Sequence, residues 1–435
     1  MNEGKKEGGL SAPTRHPIDW KSDSFYDEAD LDTELRRVFD ICHGCRRCVS
    51  LCDSFPNLFD LVDESSTMEV DGVDSKDFKV VTDHCFLCDL CYLTKCPYVP
   101  PHEWNVDFPH LMLRAKAVEF KKEKTKIHRK VMTSTTAIGK AATIPVIVDM
   151  VNGLNNTKLG RKVVDKMLHV HPEAHVPPYK KLKKSSQVAS NVEAKYNVAI
   201  FATCYGEYNE PAIVEALKAV LDHNKVNTDW VNTPACCGMP KLELGDLDSA
   251  VLNWEKNRES LVTAAKKGWK ITAAIPSCVL MYKQELPLLL PDDEEVKLVA
   301  NAFVDPFQFM WQLKKNDELN TDFSGEFGTI FYHQPCHQRV QSFGNRTKDI
   351  LSLIPHDKLD MIARCSGHDG TYGVRRETYE HAKKIAKPVV RKINQAKPDS
   401  ITSDCPMAAS HLAHVADAPE KSIHPLVLLR QAYGI

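Results

Sequence analysis

The residues most able to do chemistry in this chain are its fifteen cysteines, and eight of them fall in two runs of nearly the same design. The first run is Cys42-x2-Cys45-x2-Cys48-x3-Cys52, and the second is Cys85-x2-Cys88-x2-Cys91-x4-Cys96-Pro97. Three thiolates at two-residue gaps can hold three corners of one cubane, while the fourth cysteine, set further along, serves the other cluster in a two-cluster arrangement. That rule assigns Cys42, Cys45, Cys48 and Cys96 to one [4Fe–4S] cluster. Cys85, Cys88, Cys91 and Cys52 then hold a second. Asp53 stands where a proline usually follows the first run, and the second run has one residue more than usual before Cys96; neither departure removes a ligand. Zinc is the alternative, but structural zinc sites usually take cysteine pairs from separate hairpins, which two such triplets fit poorly.

The other seven cysteines lie in the second half, after a stretch from Cys96 to Cys204 that has none. They fall at Cys204, Cys236, Cys237 and Cys278, then at Cys336, Cys365 and Cys405. The intervals match, which predicts two tandem copies of one unit. Cys236-Cys237-Gly238 is the most specific feature here: adjacent thiols can bridge or chelate one cluster, and glycine lets the backbone come close.

The elements that must position these cysteines read as alternating strands and helices. Asn197 to Thr203 predicts a buried strand and Ala212 to Asp222 an amphipathic helix. A strand is expected within 226–232, a long helix over 246–267 stopped by Gly268, and a strand over 271–276 leading into Cys278. The last third repeats the plan, with a strand over 329–333 ending at Cys336, a helix over 375–395, and a strand over 400–403 ending at Cys405. The cysteines thus sit after strands and before helices, where open α/β sheets bind ligands.

These motifs resemble the C subunit of anaerobic glycerol-3-phosphate dehydrogenase, within the wider group of heterodisulfide-reductase-related iron–sulfur proteins. The resemblance runs from about Cys42 to Ala432. It rests on the paired cysteine runs, Cys204-Tyr-Gly, Cys236-Cys-Gly-Met-Pro, Pro276-Ser-Cys278, Tyr332-His-Gln-Pro-Cys336-His and Gly370-Thr-Tyr-Gly373. It implies a largely helical two-cluster ferredoxin-type domain followed by two α/β cysteine-rich "CCG" repeats. A complete CCG repeat has five cysteines. The first repeat here has Met281 in place of the last, leaving four thiols for a third cluster. The second has Ser366 for the second cysteine of the pair and Ala408 for the last. Only Cys336, Cys365 and Cys405 remain, too few for the usual four cysteine positions. His333, His337, His368 and His411 are candidates to complete that site; otherwise it is empty or holds reactive thiols.

The expected domains are a flexible tail over 1–19, a ferredoxin-type domain over 20–110, a helical basic linker region over 111–190, and repeats over 191–320 and 321–435. Phe108 to Met132 reads as one strongly basic helix. Docking on an anionic membrane surface or acidic partner is weighed there against a solvated face, which Glu119 and Glu123 favour. Net charge of −2 gives no reason to expect nucleic acid as a partner. No run approaches the ~20 apolar residues that cross a bilayer. The polar N-terminus and the odd number of cysteines suggest a reducing, cytoplasmic setting, with peripheral association at the inner face of the membrane as an option. No Gly-rich phosphate loop and no flavin or nicotinamide fingerprint follows a strand. The expected role is therefore an electron-transfer subunit beside a separate flavoprotein or other redox protein, with quinone as the acceptor that the resemblance implies. A thiol–disulfide oxidoreductase using a cluster at the CCG site is the alternative.

Overall fold

The computed structural model describes residues 12–94, 96–184 and 194–435. The expected boundary near 190 lies outside the described residues. The chain forms two compact units, one of 1–126 with 241–247, the other of 127–240 with 248–435. The expected linker region of 111–190 is divided between them. Its basic helix is broken: helices span Phe108–Lys121 and Ile127–Met132, separated by a turn with Glu123 at φ +57°.

The first unit is helical. Its core is built from aromatic rings between the two cysteine runs, with Phe55 against Phe108 at 4.7 Å and Phe39 against Phe78 at 5.1 Å. Helix Glu28–Cys45 places Cys42 and Cys45 one turn apart on a single face. It ends with Arg46 in the left-handed region, φ 51°, which swings the chain back toward Cys48. The second run bends in the same way, with Leu87 at φ 51° and Asp89 at φ 59° flanking Cys88. The buried Ser54 hydroxyl donates to the Val81 carbonyl at 2.8 Å, tying the segment after the first run to the helix before the second.

Of the expected tail, residues 1–11 lie outside the described residues, and residues 12–19 are anchored. Arg15 makes a two-pronged pair with Asp89, at 2.6 and 2.8 Å, and another with Asp107, at 2.8 and 3.0 Å. Asp89 lies between Cys88 and Cys91. Asp107 caps helix Phe108–Lys121 by accepting from the His110 N–H. One guanidinium thus clamps a cysteine loop to a core helix.

The second unit holds two parallel sheets. The first has order β2-β1-β3, with β1 Asn197–Ile200, β2 Asn227–Trp230 and β3 Lys270–Thr272. The second has order β5-β4-β6-β7, with β4 Phe327–His333, β5 His356–Ile362, β6 Ser400–Thr402 and β7 Ser422–Ile423. The repeat is evident, since β1, β2 and β3 correspond to β4, β5 and β6. Parallel strands need crossover connections. Here they include helices Pro211–His223 and Leu247–Lys266 in the first repeat and Tyr379–Ala396 in the second. Each helix buries an apolar stripe at three- and four-residue spacing, as with Ala382, Ala386, Val389, Val390 and Ile393. Within the expected linker region, the segment from 133 to 168 contains helices Thr135–Ala142, Ile147–Asn155 and Lys158–Leu168.

The loop carrying the cysteine pair is held by Asn257, which is fully buried on helix Leu247–Lys266. Its Oδ1 accepts from the Ala235 N–H at 3.0 Å, and its Nδ2 donates to the Ala235 carbonyl at 3.0 Å.

Two outcomes follow from these anchors. Arg15→Ala leaves Asp89 buried without its cation and is expected to lower stability by about 3–5 kcal/mol in denaturant titration. Asn257→Leu leaves both backbone groups of Ala235 unpaired and is expected to cost about 1–3 kcal/mol by the same measurement.

Candidate metal centres

All seven cysteines of the second unit lie at or just beyond the C-terminal ends of parallel strands. Cys204 opens helix Cys204–Tyr208 after β1, and Cys278 lies in helix Pro276–Leu280 after β3. Cys336 opens the helix after β4, and Cys405 precedes helix Pro406–Val415 after β6. Cys236 and Cys237 follow β2, and Cys365 follows β5, a strand that the sequence pattern does not announce. Because the strands run the same way, their ends converge on one edge of each sheet.

In the first repeat Cys204 Sγ is 3.7 Å from Cys236 Sγ, which is 4.0 Å from Cys237 Sγ. Cys278 is close enough to act electrostatically on both Cys204 and Cys237. All four sequence-assigned thiols are therefore together. Cys236 is pulled well below the ordinary thiol range, because Cys204 and then Cys237 hydrogen-bond to it. Cys204 is pushed well up, first by its hydrogen bond to Cys236 and then by burial, and Cys237 by hydrogen bonds with Cys236 and Cys278 and then by burial.

Three features shape this site. Thr203, a β-branched residue at φ 64°, accepts from the Gly206 N–H at 3.0 Å and turns the chain sharply at Cys204. Gly238 sits at φ 105°, where a Cβ would lie 3.1 Å from the Ala250 carbonyl oxygen and 3.3 Å from the methyl of Met281, which is fully buried in the place of a fifth cysteine. The third is Thr136 on helix Thr135–Ala142, whose Oγ1 accepts from the Cys236 N–H at 2.9 Å. No local signal in the sequence points to Thr136, which lies 100 residues from its partner.

The second repeat also gathers its cysteines. Burial pushes the Cys336 thiol well up, and Cys365, Asp369 and Cys405 act on it in that order. Burial pushes Cys405 up to about 12. Asp404, just before Cys405, accepts from the Tyr332 and Thr347 hydroxyls at 2.7 and 2.8 Å, which fixes the end of β6. The candidate histidines fare differently. His333 is committed at both nitrogens, to Ser403 Oγ at 3.1 Å and the Arg364 carbonyl at 2.8 Å, and burial lowers its pKa to about 4. His337 Nδ1 pairs with Ser277 Oγ at 2.8 Å, linking the loop of Cys336 to that of Cys278. The carboxylate that neighbours both Cys336 and Cys405 is Asp369, a residue not among the sequence candidates. Its signal was its place just before the Gly370-Thr-Tyr-Gly373 loop.

His368 and His411 instead line a large apolar cavity of ≈ 580 Å³, along with Tyr205 from the first repeat and Ile138, Val151 and Leu168 from the helices over 135–168. Their rings lie 5.8 Å apart, and the Nε2 atom of each is sealed from solvent without a hydrogen-bond partner. Burial lowers their pKa values to about 3 and about 4, so both are neutral at pH 7.

In the first unit Cys42, Cys45, Cys48 and Cys96 surround one small cavity with Phe55, Phe59 and Tyr98. Burial, then Cys96, Cys48 and Cys45, push the Cys42 thiol well up. Cys91 is pushed well up by burial, then by Cys88, Cys85, Cys48 and Cys52. Cys96 thus lies with Cys42, Cys45 and Cys48, and Cys52 is near Cys91. Cys48 adjoins Cys91, so the two groups are neighbours. Thiols crowded in dry surroundings are costly to ionise together unless a metal neutralises them. The donor set of four thiols and the apolar walls fit an iron–sulfur cluster.

Comparison with known proteins agrees with this architecture. A model of the CCG cysteine-rich domain matches residues 198–283 and 330–413. The chain is 25% identical over 335 residues to the C subunit of the anaerobic glycerol-3-phosphate dehydrogenase of Escherichia coli strain K12, covering 75% of this chain and 82% of the relative. It is 24% identical over 249 residues to the B subunit of the fumarate reductase (CoM/CoB) of Methanothermobacter marburgensis, covering 54% and 46%. It is 23% identical over 210 residues to the lactate utilization protein A of Oceanobacillus iheyensis, covering 46% and 82%. With two CCG cysteine-rich domains in tandem, the chain is a homologue of the anaerobic glycerol-3-phosphate dehydrogenase C subunits and of heterodisulfide-reductase-related iron–sulfur proteins.

Proposed function

We propose that this chain is the iron–sulfur electron-transfer subunit of a dehydrogenase complex, passing electrons between a partner flavoprotein and an acceptor such as quinone. The observation that carries the reading is the gathering of Cys42, Cys45, Cys48 and Cys96 around one cavity and of Cys85, Cys88, Cys91 and Cys52 beside it. These sets would hold two [4Fe–4S] clusters, and Cys204, Cys236, Cys237 and Cys278 a third. Such clusters supply one-electron transfer when bound, at potentials set by hydrogen bonds to sulfur and by exposure. The chain's own residues hold the thiols at fixed spacing and keep them from water. The E. coli relative is by name part of a dehydrogenase and the M. marburgensis relative part of a reductase, which supports a complex with a redox partner. Hydride transfer needs a flavin or nicotinamide, so that step belongs to the partner in this reading.

Quinone as acceptor is supported by the apolar cavity beside the second repeat's cysteines, with two neutral imidazoles in its wall. His411 holds the backbone of Ala382 through its other ring nitrogen. That leaves Nε2 as an acceptor for a hydroxyl on a ligand ring.

Iron and acid-labile sulfide measured on anaerobically purified protein test the reading. About twelve irons per chain are expected, falling to about eight in the Cys236→Ala/Cys237→Ala variant, whose EPR retains the two N-terminal signals. About sixteen would mean that Cys336, Cys365 and Cys405 hold a fourth cluster with a non-cysteine ligand, for which Asp369→Ala is the check. Zinc without iron would sink the reading. With decylubiquinone as acceptor for the reduced protein, His411→Leu is expected to raise the half-saturating concentration about tenfold, corresponding to loss of one hydrogen bond, with iron content unchanged.

A further inference from the structure

The first repeat carries its cysteines beyond the leaving ends of its strands. Another cavity lies toward the opposite end, where Lys270 begins β3. Its volume is ≈ 500 Å³, and every residue lining it belongs to the second unit. The polar part of the lining is Lys270, Lys283, Gln284, Asn301, Gln308 and Gln312. That is two cations and four amides, and no carboxylate stands among the lining residues. Phe303, Phe309 and Leu313, all buried, form an apolar wall. The ring of Tyr196 adds to that wall, since its hydroxyl is engaged with Glu318 Oε2 at 2.7 Å. Electron transfer through the cysteine groups uses none of these residues.

No ion pair among the described residues accounts for the two lysines. The carboxylate that acts on Lys283 is Asp305, whose Oδ1 accepts from the N–H groups of Phe307 and Gln308 at 2.9 and 3.2 Å as the cap of helix Pro306–Lys315. Lys283 Nζ reaches Gln308 Oε1 at a long 3.5 Å. Burial lowers Lys283 from the ordinary lysine value; Asp305 opposes the shift and Lys270 adds to it. A half-buried ammonium beside a second one is unfavourable unless an anion joins them. Lysine binds phosphate as a point charge. Side-chain amides both donate and accept, and an apolar wall takes an organic body rather than a bare ion.

The element behind the cavity is unusual. Lys283 and Gln284 lie on a π-helical turn, Met281–Glu285, between helices Pro276–Leu280 and Leu286–Leu289. Such turns are rare and recur at functional sites. On the same turn the Tyr282 ring stacks on Phe303 at 4.7 Å, and the Tyr282 hydroxyl accepts from Asn257 Nδ2 at 2.9 Å. Asn257 is the residue that holds the loop before Cys236. A ligand seated on Phe303 and Lys283 therefore rests on the turn that carries the support of the cysteine pair.

We propose that this cavity binds a small phosphorylated organic molecule, with its phosphate between Lys270 and Lys283 and its apolar body against Phe303, Phe309 and Leu313. The amides of Gln308 and Gln312 supply the remaining hydrogen bonds. The site shares no residue with the cysteine groups, and the inference holds whether or not the clusters transfer electrons.

The test is isothermal titration of the full-length, iron-loaded protein with inorganic phosphate and with phenyl phosphate, at an ionic strength held constant with sodium chloride. Both are expected to bind, phenyl phosphate at least about tenfold more tightly, as burial of one ring requires. Lys283→Met is expected to weaken phenyl phosphate by about tenfold or more, through loss of a charged hydrogen bond. Lys270→Met/Lys283→Met should abolish binding of inorganic phosphate. Circular dichroism and iron content confirm that each variant is folded and loaded. Should the Lys283 variants fail to fold, Lys270→Met, at an exposed position, is expected to weaken binding by itself. In the wild type, phenyl phosphate is expected to slow hydrogen exchange over Met281–Glu285 and Pro306–Lys315. The proposal is overturned if neither probe binds, if the lysine variants bind as wild type does, or if exchange slows elsewhere and not at these two segments. Phenyl phosphate binding no more tightly than inorganic phosphate would mean an adventitious ion only, and overturns it as well. Iron loss with phenyl phosphate binding intact would count against the electron-transfer reading alone.

Discussion

A thiol buried away from water stays protonated, and several thiolates buried together repel one another. Every cysteine group in this protein is built against that tendency. Burial heads the causes that raise Cys42, Cys91, Cys336 and Cys405, with neighbouring thiols adding to it in the first three. Ionised thiolates at these spacings are stable when a multiply charged centre neutralises them, so metal binding and the local fold are linked in free energy. The supports around the thiols act in the same direction. Arg15 fixes the loop of Cys88 and Cys91, Asn257 fixes the loop before Cys236, and the Tyr332–Asp404–Thr347 hydrogen bonds fix the strand end before Cys405. In each case the anchor comes from an element remote in sequence, so the thiols are positioned before any ligand arrives.

Parallel strands carry out that positioning in the second unit. Because β1, β2 and β3 run the same way, residues at their ends meet although 32 residues separate Cys204 from Cys236. This geometry was legible in the sequence, since short apolar runs each ending in a cysteine state both the strand and its exit. The nearness of Cys96 to the first triplet was legible for a similar reason, as spacing alone limits which thiols can gather at one place. The long helix closing at Gly268 was also legible, because amphipathic spacing and a glycine at φ 76° are both local signals.

What the sequence hid was of a different physical kind. Arg15 sat in a polar stretch that reads as tail, and its two carboxylate partners are 74 and 92 residues away. The basic run from 108 to 132 reads as one helix because charge pattern does not register the break at Glu123. β5, with the pattern His356–Ile362, is half-buried and largely polar, so it lacks the apolar run that announces a parallel strand. Asp369 was hidden because a carboxylate near two cysteines in space is four residues from one and far from the others.

Against the five-cysteine repeat that the resemblance implies, both repeats have an apolar residue at the last position, Met281 and Ala408, and only the second has a serine, Ser366, in its pair. Met281 and Ala408 are both buried, so each packs as core at that place. The pair position differs: Ser366 is buried beside Gly367, whose φ of 77° and close approach to the Ala382 carbonyl keep the turn of a cysteine-pair loop. The second repeat thus has the backbone of a cysteine-pair loop beside His368, His411 and an apolar cavity. A sheet core of Ile330, Tyr332 and Ile401, all fully buried, and the hydrogen bonds of the Tyr332 hydroxyl hold that backbone.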